Sequence, residues 1–420
     1  MKIIIIGAGL LGSSSAYFLS KLGHEVVVLE RQSGPGIETS FANAGMLTPS
    51  QAAPWNQPGL LRNLLRWVGR EDSPILVRSG AVFSLLGWGS RFILNSSLAR
   101  FRQNLQKNAG LARYSLGILQ AFRERHAVHY DATTRGTLKF FVSRRDFDHE
   151  AGFNDLYREA GIDFRLLDSK TVLQVEPALA DISPRIVAAI HYPHDESGDA
   201  HLFCNALAEQ AVNAGARFRY GVNIRGFVRS GQRISAVVTE QGEQQAEAYV
   251  LAAGSYSPLL SASVGLRLPI RPVKGYSLTF NLDGWDKGPT MPLVDESAHT
   301  AITPLGSRLR VAGTAEFNGY NTELAPGRIE NMARILRATC PGFIPHMDLE
   351  AAIPWAGLRP YSCDGVPLLG PTPLANLYLN TGHGHLGWSM SMGSGKLVAD
   401  FINGTGTDIN LSPYQLARFL

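Results

Sequence analysis

The feature that most constrains this chain is the order of residues at its start. Ile3 to Ile6 is a continuous β-branched run of the kind buried on both faces of a parallel sheet, and it leads directly into Gly7-Ala8-Gly9-Leu10-Leu11-Gly12. Ala16, Tyr17, Phe18 and Leu19 then recur at helical spacing up to Leu22, Gly23 can stop the helix, and Val26 to Leu29 reads as a second buried strand. Strand, glycines, helix and strand make one βαβ unit, which predicts an α/β fold. The second strand ends in Glu30, close to the ~20-residue spacing expected for an acid that holds a ribose. Side-chain-free residues let the backbone approach a pyrophosphate at the helix N-terminus. Glu30 would accept hydrogen bonds from ribose hydroxyls and repel a 2′-phosphate, which disfavours NADP. The plainer alternative is a buried glycine turn between strand and helix.

Ala248 to Ala253-Gly254 is another buried strand ending in small residues, placed to return to the same nucleotide. Near the C-terminus, Leu377 to Asn380 is strand-like, Thr381 to Gly387 is a loop, and Trp388 to Phe401 has helical periodicity. Nucleotide-site pieces therefore fall at both ends and in the middle. The expected division is a discontinuous domain of residues 1-50, 197-265 and 355-420, with a second domain of 51-196 and 266-354. Strand patterns such as Gly136 to Val142 and Gly275 to Phe280 give that second domain a sheet. Glycine supplies 43 of the 420 residues, about a tenth against the usual ~7%, so tight turns are plentiful. No apolar run approaches the ~18 residues needed to span a bilayer. The N-terminal apolar stretch is too short for a secretory signal, which places the expected mature chain inside the cell.

A net charge of +4 on 39 cations and 35 anions implies no nucleic-acid stripe. Three cysteines, Cys204, Cys340 and Cys363, show no C-x-x-C spacing, against a disulfide framework or a cysteine zinc site. The basic excess is local to Gln51–Lys107. There Arg62, Arg66 and Arg70 form one helical stripe beside Leu60, Leu61, Leu64, Leu65 and Val68, with Trp67 and Trp88 as interfacial anchors. This makes residues 60-107 a candidate peripheral contact to anionic lipid on the inner face of the cell membrane. The alternative is a surface helix packing its apolar stripe on the second domain.

The chain resembles the FAD-dependent amine and amino-acid oxidoreductases of the D-amino-acid oxidase and glycine oxidase group, the bacterial D-amino-acid dehydrogenases in particular. The motifs that carry the resemblance are Glu38-Thr39-Ser40-Phe41-Ala42-Asn43-Ala44-Gly45, Pro272-Val273-Lys274-Gly275-Tyr276-Ser277, Gly357-Leu358-Arg359-Pro360 and Asn380-Thr381-Gly382-His383-Gly384-His385-Leu386-Gly387-Trp388. It implies a Rossmann-like FAD-binding domain and a second α+β substrate domain with a mostly antiparallel sheet. Position by position, it implies that Gly7, Gly9, Leu10, Leu11 and Gly12 line the pyrophosphate and that Glu30 and Arg31 meet the adenosine ribose. Thr39, Ser40, Asn43, Ala44, Gly45 and Met46 would run from pyrophosphate to flavin, and Val222, in a Tyr220-Gly221-Val222 strand, would meet adenine. Gly382, His383, Gly384, His385, Leu386, Gly387 and Trp388 would meet the flavin, where helix N-terminal amides stabilise charge developing at N1 and C2=O. Some members attach flavin through a cysteine, but Cys363 is displaced from that position, near Gly357, so FAD is expected to be non-covalent.

The resemblance also implies that Arg359 binds the substrate carboxylate, with a planar fork matching two oxygens. Tyr276 is a candidate for bonding that carboxylate or walling the pocket, Lys274 for the flavin edge, and His383 and His385 for bordering flavin and substrate. Asp199 reads as the N-cap of a helix starting near Leu202. The expected reaction is oxidative deamination of a D-alanine-like amino acid to the 2-oxo acid and ammonia by hydride transfer from Cα to flavin N5, with electrons passed to a quinone or other acceptor. A cyclic D-imino acid such as D-hydroxyproline is the competing substrate, and a flavin-bearing electron-relay subunit is the competing role. A colourless NAD enzyme is a third reading. Walker A, His-Glu-x-x-His and Gly-x-Ser-x-Gly motifs are absent, and His191, His194 and His201 lack a cysteine partner for a metal.

Overall fold

The computed structural model describes residues 1–59, 73, 75–282 and 284–420. The Arg62, Arg66 and Arg70 stripe, with its leucines, Val68 and Trp67, lies outside the described residues. The described chain builds two large sheets. In the first, the strands run in the order Leu368–Pro371, Leu377–Thr381, Ala248–Leu251, Lys2–Ile6, Glu25–Leu29, Arg217–Arg219. All pairs are parallel except the outermost, Leu368–Pro371 with Leu377–Thr381. The isoleucine run follows from its position in the centre of this sheet. Ile3 and Ile5 face helices Leu10–Lys21, Ala200–Asn213 and Ser391–Asn403. Ile4 and Ile6 face a small antiparallel sheet of strands Ile224–Ser230, Arg233–Thr239 and Gly242–Gln244. With both faces covered, the four positions after Lys2 are all apolar, and each buried isoleucine contributes roughly 1.5–3 kcal/mol.

The second sheet runs in the order Ile353–Ser362, Ile270–Asn281, Arg308–Phe317, Thr300–Leu305, Leu293–Asp295, Thr137–Phe141, Ala188–Tyr192, Arg165–Asp168, with Ile75–Val77 added beside Arg308–Phe317. It is mostly antiparallel. One face packs under helices Ser169–Val175 and Pro326–Thr339, and the other looks toward the nucleotide sheet. The expected domain boundary at 355 falls inside strand Ile353–Ser362, whose ten backbone pairings with Ile270–Thr279 hold it in the second sheet. The Gly357-Leu358-Arg359-Pro360 motif thus belongs to this sheet. The expected Tyr220–Val222 strand is also displaced: pairing ends at Arg219, and Val222 follows it with its N–H on the Glu30 carbonyl.

One long helix, Leu98–His126, joins both halves. Its Phe101, Leu105 and Ala109 pack in a core beside the second sheet, while Leu111, Leu119 and Phe122 pack with the nucleotide helices. A short pairing of Met46–Leu47 with Glu196–Ser197 adds a second link. Beside it, the Ser50 N–H and hydroxyl donate to Asp195 at 3.3 and 2.5 Å. Asp199 caps helix Ala200–Asn213, accepting from the His201 and Leu202 amides at 2.9 and 3.1 Å.

Burial pushes the Asp195 carboxyl up to about 7, the Ser50 hydrogen bonds opposing this only in part. Between its unfolded value, about 3.9, and pH 7, the folded protein therefore holds a proton that the unfolded chain has lost. Stability at this group falls as pH rises through that window. Asp195→Asn is expected to raise Tm at pH 8 and to lose that advantage toward pH 4, measured by thermal unfolding across pH.

Candidate active site

The first strand and helix position the nucleotide end of a cavity of about 700 Å³. Gly7 has φ +102°, and a Cβ there would lie 2.7 Å from the Ala252 carbonyl oxygen. A Cβ on Gly12 would lie 1.8 Å from the Gly7 carbonyl, so this glycine is needed for helix and strand to meet. Gly9 differs: its nearest neighbour would be Ser40 Oγ at 3.5 Å, and the position opens into the cavity. Helix Leu10–Lys21 starts at Gly9 with no side-chain cap, leaving amides for an anion. Glu30 is held at the cavity edge by the Ala8 and Gln32 amides, at 2.7 and 2.9 Å. Arg31 pairs with Glu38 at 2.5 Å and lies 3.8 Å from the Tyr256 ring centroid. Val222 closes this end, and Ala253 and Gly254 also line it.

Thr39, Ser40, Asn43, Ala44 and Met46 continue along the cavity. Their path is fixed by the second sheet: Thr303 donates to the Ala44 carbonyl at 2.7 Å and Arg310 to that of Asn43 at 3.3 Å. Thr39 donates to the Leu358 carbonyl at 2.8 Å. Leu10, Leu11, His383, Gly384, His385, Gly387 and Trp388 line the cavity from the last loop and first helix. Four expected contacts stand behind the wall instead. Gly12 packs on Gly7; Gly45, at φ +69°, is pressed against the Gly198 carbonyl; Gly382, at φ +81°, turns the chain against Ile270; and Leu386 is in the core. These four shape the backbone rather than face the cavity. The last helix begins at Ser391, so Trp388 belongs to the turn before it.

Buried Gln51 Nε2, His385 Nδ1 and Trp388 Nε1 have no hydrogen-bond partner and belong to residues lining this cavity. Such orphaned groups cost free energy unless a ligand meets them. An uncapped helix start, an open glycine, a fixed acid at the end of the second strand and the orphaned Gln51 and Trp388 nitrogens fit FAD. His383 donates to or accepts from Ser394 Oγ at 2.9 Å, and burial pushes it down to about 3. His385 Nε2 lies 3.0 Å from the Gln51 carbonyl, which can only accept, so the proton sits on Nε2. Burial pushes His385 down to about 4, with Arg359 adding to the fall. Its ring stacks on Trp55, centroids 5.3 Å apart.

Arg359 is half-buried on the second sheet at the cavity wall, where its guanidinium lies across Gly275. A Cβ at that glycine would sit 2.3 Å from Cζ, so any other residue would displace the group. Nη1 donates to the Thr314 carbonyl at 2.9 Å. Thr314 has φ +57° in a one-residue bulge, where Lys274 pairs with Glu316 but Tyr276 pairs with Gly313. A β-branched residue in that conformation is strained, and here the strain accompanies a carbonyl turned onto the arginine. Among the described residues no carboxylate lies within 4.0 Å of Arg359. Burial without a counter-charge pushes its pKa down to about 10. It remains a cation at neutral pH and faces the cavity with no described carboxylate in salt-bridge reach.

Tyr276 is among the residues that line the cavity, as expected of a pocket wall, but its side chain does not share the role of Arg359. Successive residues of a strand point to opposite faces, and Tyr276 packs with Leu278 and Phe280 in the core on the far side from Arg359. Its hydroxyl donates to Glu316 at 2.7 Å. Lys274 lies there too, 3.4 Å from Glu316 and bonded to Asn321 and the Glu323 carbonyl, away from any flavin edge. Cys363 packs with Trp88, Phe92 and Tyr361, and none of the three cysteines lines the cavity. His191, His194 and His201 are engaged with the Arg135 carbonyl, Asp163 and the Gly36 carbonyl. Thr314, Gln51 and Trp55 were not foreseen as site residues. A threonine in left-handed conformation inside a strand leaves no sequence sign, whereas a glycine between Lys274 and Tyr276 was a readable mark of close approach.

A model of the FAD dependent oxidoreductase family matches residues 2–401, and the chain belongs to that family. FAD is its cofactor and redox chemistry its class of reaction. Across its full length it is 41% identical to a D-amino acid dehydrogenase of Allorhizobium ampelinum, covering 99% of that protein. It is likewise 41% identical to a D-amino acid dehydrogenase of Paramagnetospirillum magneticum, again over 99% of it. Among solved structures, glycine oxidase from Geobacillus kaustophilus aligns with a TM-score of 0.75 at 24% identity, over 100% of this chain and 98% of that one. L-proline dehydrogenase from P. horikoshii gives 0.76 at 18% identity, over 100% and 97%. At such identities these two speak for the fold.

The glycines separate folding from cofactor binding. Gly9→Ala is expected to fold with an unchanged apoprotein Tm and to lose FAD affinity about tenfold or more, because only the ligand meets the new methyl group. Gly12→Ala is expected to lower Tm even without FAD. Flavin absorbance after dialysis and apoprotein unfolding curves check both.

Proposed function

We propose that the protein is an FAD-dependent dehydrogenase that oxidises a small D-amino acid to its imine, which water converts to a 2-oxo acid and ammonia. The observation that carries this reading is the half-buried cation of Arg359 on the cavity wall, with no carboxylate within 4.0 Å among the described residues. A substrate carboxylate supplies the missing anion through two parallel hydrogen bonds. Because Nη1 is already held by Thr314 over Gly275, little ordering is left to do when the substrate arrives. The relatives named D-amino acid dehydrogenase support the D configuration. Bound FAD supplies a two-electron oxidant that accepts hydride at N5. The chain would hold it with Gly7, Gly9 and Glu30 at the nucleotide end and Ala44, Met46 and the 383–388 loop at the ring end. The protein's work is orientation: Arg359 fixes the carboxylate, and the enclosed wall excludes bulk water from the Cα–H. The substrate nitrogen, unprotonated, contributes the lone pair that becomes the second bond of C=N.

Arg359→Gln is expected to raise KM for D-alanine about a hundredfold with FAD content unchanged, since it removes the charge but keeps much of the bulk. Anaerobic mixing with paired D- and L-amino acids should bleach the flavin with the D enantiomers. Equal bleaching by both hands would overturn the reading.

The electron acceptor in this reading is a membrane quinone, reached by peripheral contact with anionic lipid. No helix among the described residues is long and apolar enough to cross a membrane. Helix Val82–Leu94 carries apolar groups on two faces. Trp88, expected as an interfacial anchor, is instead buried, stacked on Phe92 at 4.8 Å and packed near Phe317, because this face covers the second sheet. The opposite face leaves Phe83, Leu86 and Leu94 exposed at 85%, 62% and 71%, with Leu98 beyond them. Exposed apolar residues next to Arg91 and Arg102 suit a lipid surface. Phe83→Glu with Leu86→Glu should abolish co-sedimentation with anionic liposomes while leaving turnover with a soluble dye acceptor intact.

A further inference from the structure

Two polar groups of the cavity meet at one aromatic ring. Arg359 Cζ lies 5.8 Å from the Trp55 ring centroid, and the His385 imidazole stacks on the same indole at 5.3 Å with an interplanar angle of 16°. Tyr361 also stacks on this indole, at 4.7 Å, and lies beside the imidazole, 6.1 Å from it and 9° from its plane. The imidazole is thus held in plane from the side and at its edge, where Nε2–H donates to the Gln51 carbonyl. That bond fixes the tautomer. Nδ1 carries the lone pair, and it is a buried atom without a partner in a cavity-lining residue. The ring stays neutral, because burial and the nearby Arg359 both disfavour a second proton.

We infer that His385 Nδ1 is the acceptor for the substrate's amino group, so that Arg359 and His385 grip the two polar substituents of one Cα. The inference rests on the proposal that Arg359 binds the carboxylate. Chemical complementarity selects the amine. A lone-pair acceptor repels a carboxylate oxygen, whereas a neutral amine offers an N–H and keeps its own lone pair for C=N formation. A neutral secondary amine retains one N–H, so a cyclic imino acid can use the same contact. Two fixed substituents leave the hydrogen and the side chain of Cα to be assigned, and their exchange is what distinguishes the enantiomers. His385 is in this sense a positioning group for chirality as well as for affinity.

The test uses the FAD-loaded enzyme and two unreactive probes, benzoate and 2-aminobenzoate, whose difference is the amine; binding is followed by calorimetry. His385→Ala should weaken 2-aminobenzoate about tenfold and leave benzoate within twofold, while Arg359→Gln should weaken both. His385→Asn, whose amide oxygen also accepts, should recover most of the 2-aminobenzoate affinity. Equal weakening of both probes by His385→Ala, or weakening of neither, overturns the inference. If Arg359→Gln leaves both probes unchanged, the carboxylate reading itself fails, which is a separate outcome. For D-alanine turnover, His385→Ala should raise KM and lower kcat together, because an unheld amine misplaces the Cα–H.

Discussion

A half-buried guanidinium with no acid within 4.0 Å among the described residues is costly, and much of the second sheet is arranged around keeping it there. Gly275 gives up a side chain so that the fork can lie flat, and Thr314 takes a strained backbone so that its carbonyl can meet Nη1. The bulge that carries Thr314 also resets the alternation of its strand. Glu316 is thereby sent to the far face, where Tyr276, Arg78 and Lys274 surround it. Had the strand run on without the extra residue, that carboxylate would have changed faces. One inserted residue therefore separates the acid from the arginine and leaves the arginine's charge for a ligand.

The nucleotide half was legible because its constraints are local. A β-branched run, glycines at fixed offsets and an acid at the end of the next strand each have one physical use, and they follow one another within thirty residues. Ile3 to Leu29 could be read in order without knowing what lies above them. The limits of such reading are just as specific. Gly12 and Gly45 looked like ligand contacts because a glycine needed for backbone packing and one needed for a ligand are the same letter. Tyr276 looked like a substrate group because its motif is shared, yet strand parity decides its direction, and the register with Ile353–Ser362 puts Gly275, not Tyr276, on the face of Arg359. Trp88 looked like a surface anchor because an amphipathic pattern does not say which of two apolar faces is covered.

The two halves are also less separate than a division by residue number suggests. Arg359 sits on a strand of the second sheet that is only six residues from Leu368, in the first sheet. Helix Leu98–His126 contributes to both cores. The cavity wall is accordingly shared, with glycines from one sheet and the cation from the other. A rigid shared wall suits a reaction in which little bond making is left to side chains and most of the gain comes from fixed geometry.

The order of strands in the nucleotide sheet has a consequence for how the chain is made. Lys2–Ile6, the earliest of these strands in chain order, has as its inner neighbour Ala248–Leu251, which in turn pairs with Leu377–Thr381. At ~5–20 residues per second, tens of seconds pass before the last of these exists. During that time an all-isoleucine ribbon has only Glu25–Leu29 beside it and an open hydrogen-bonding edge on the other side. Completion of this sheet therefore waits on its most distant strand, and the interval before it is when the chain has most need of chaperone cover.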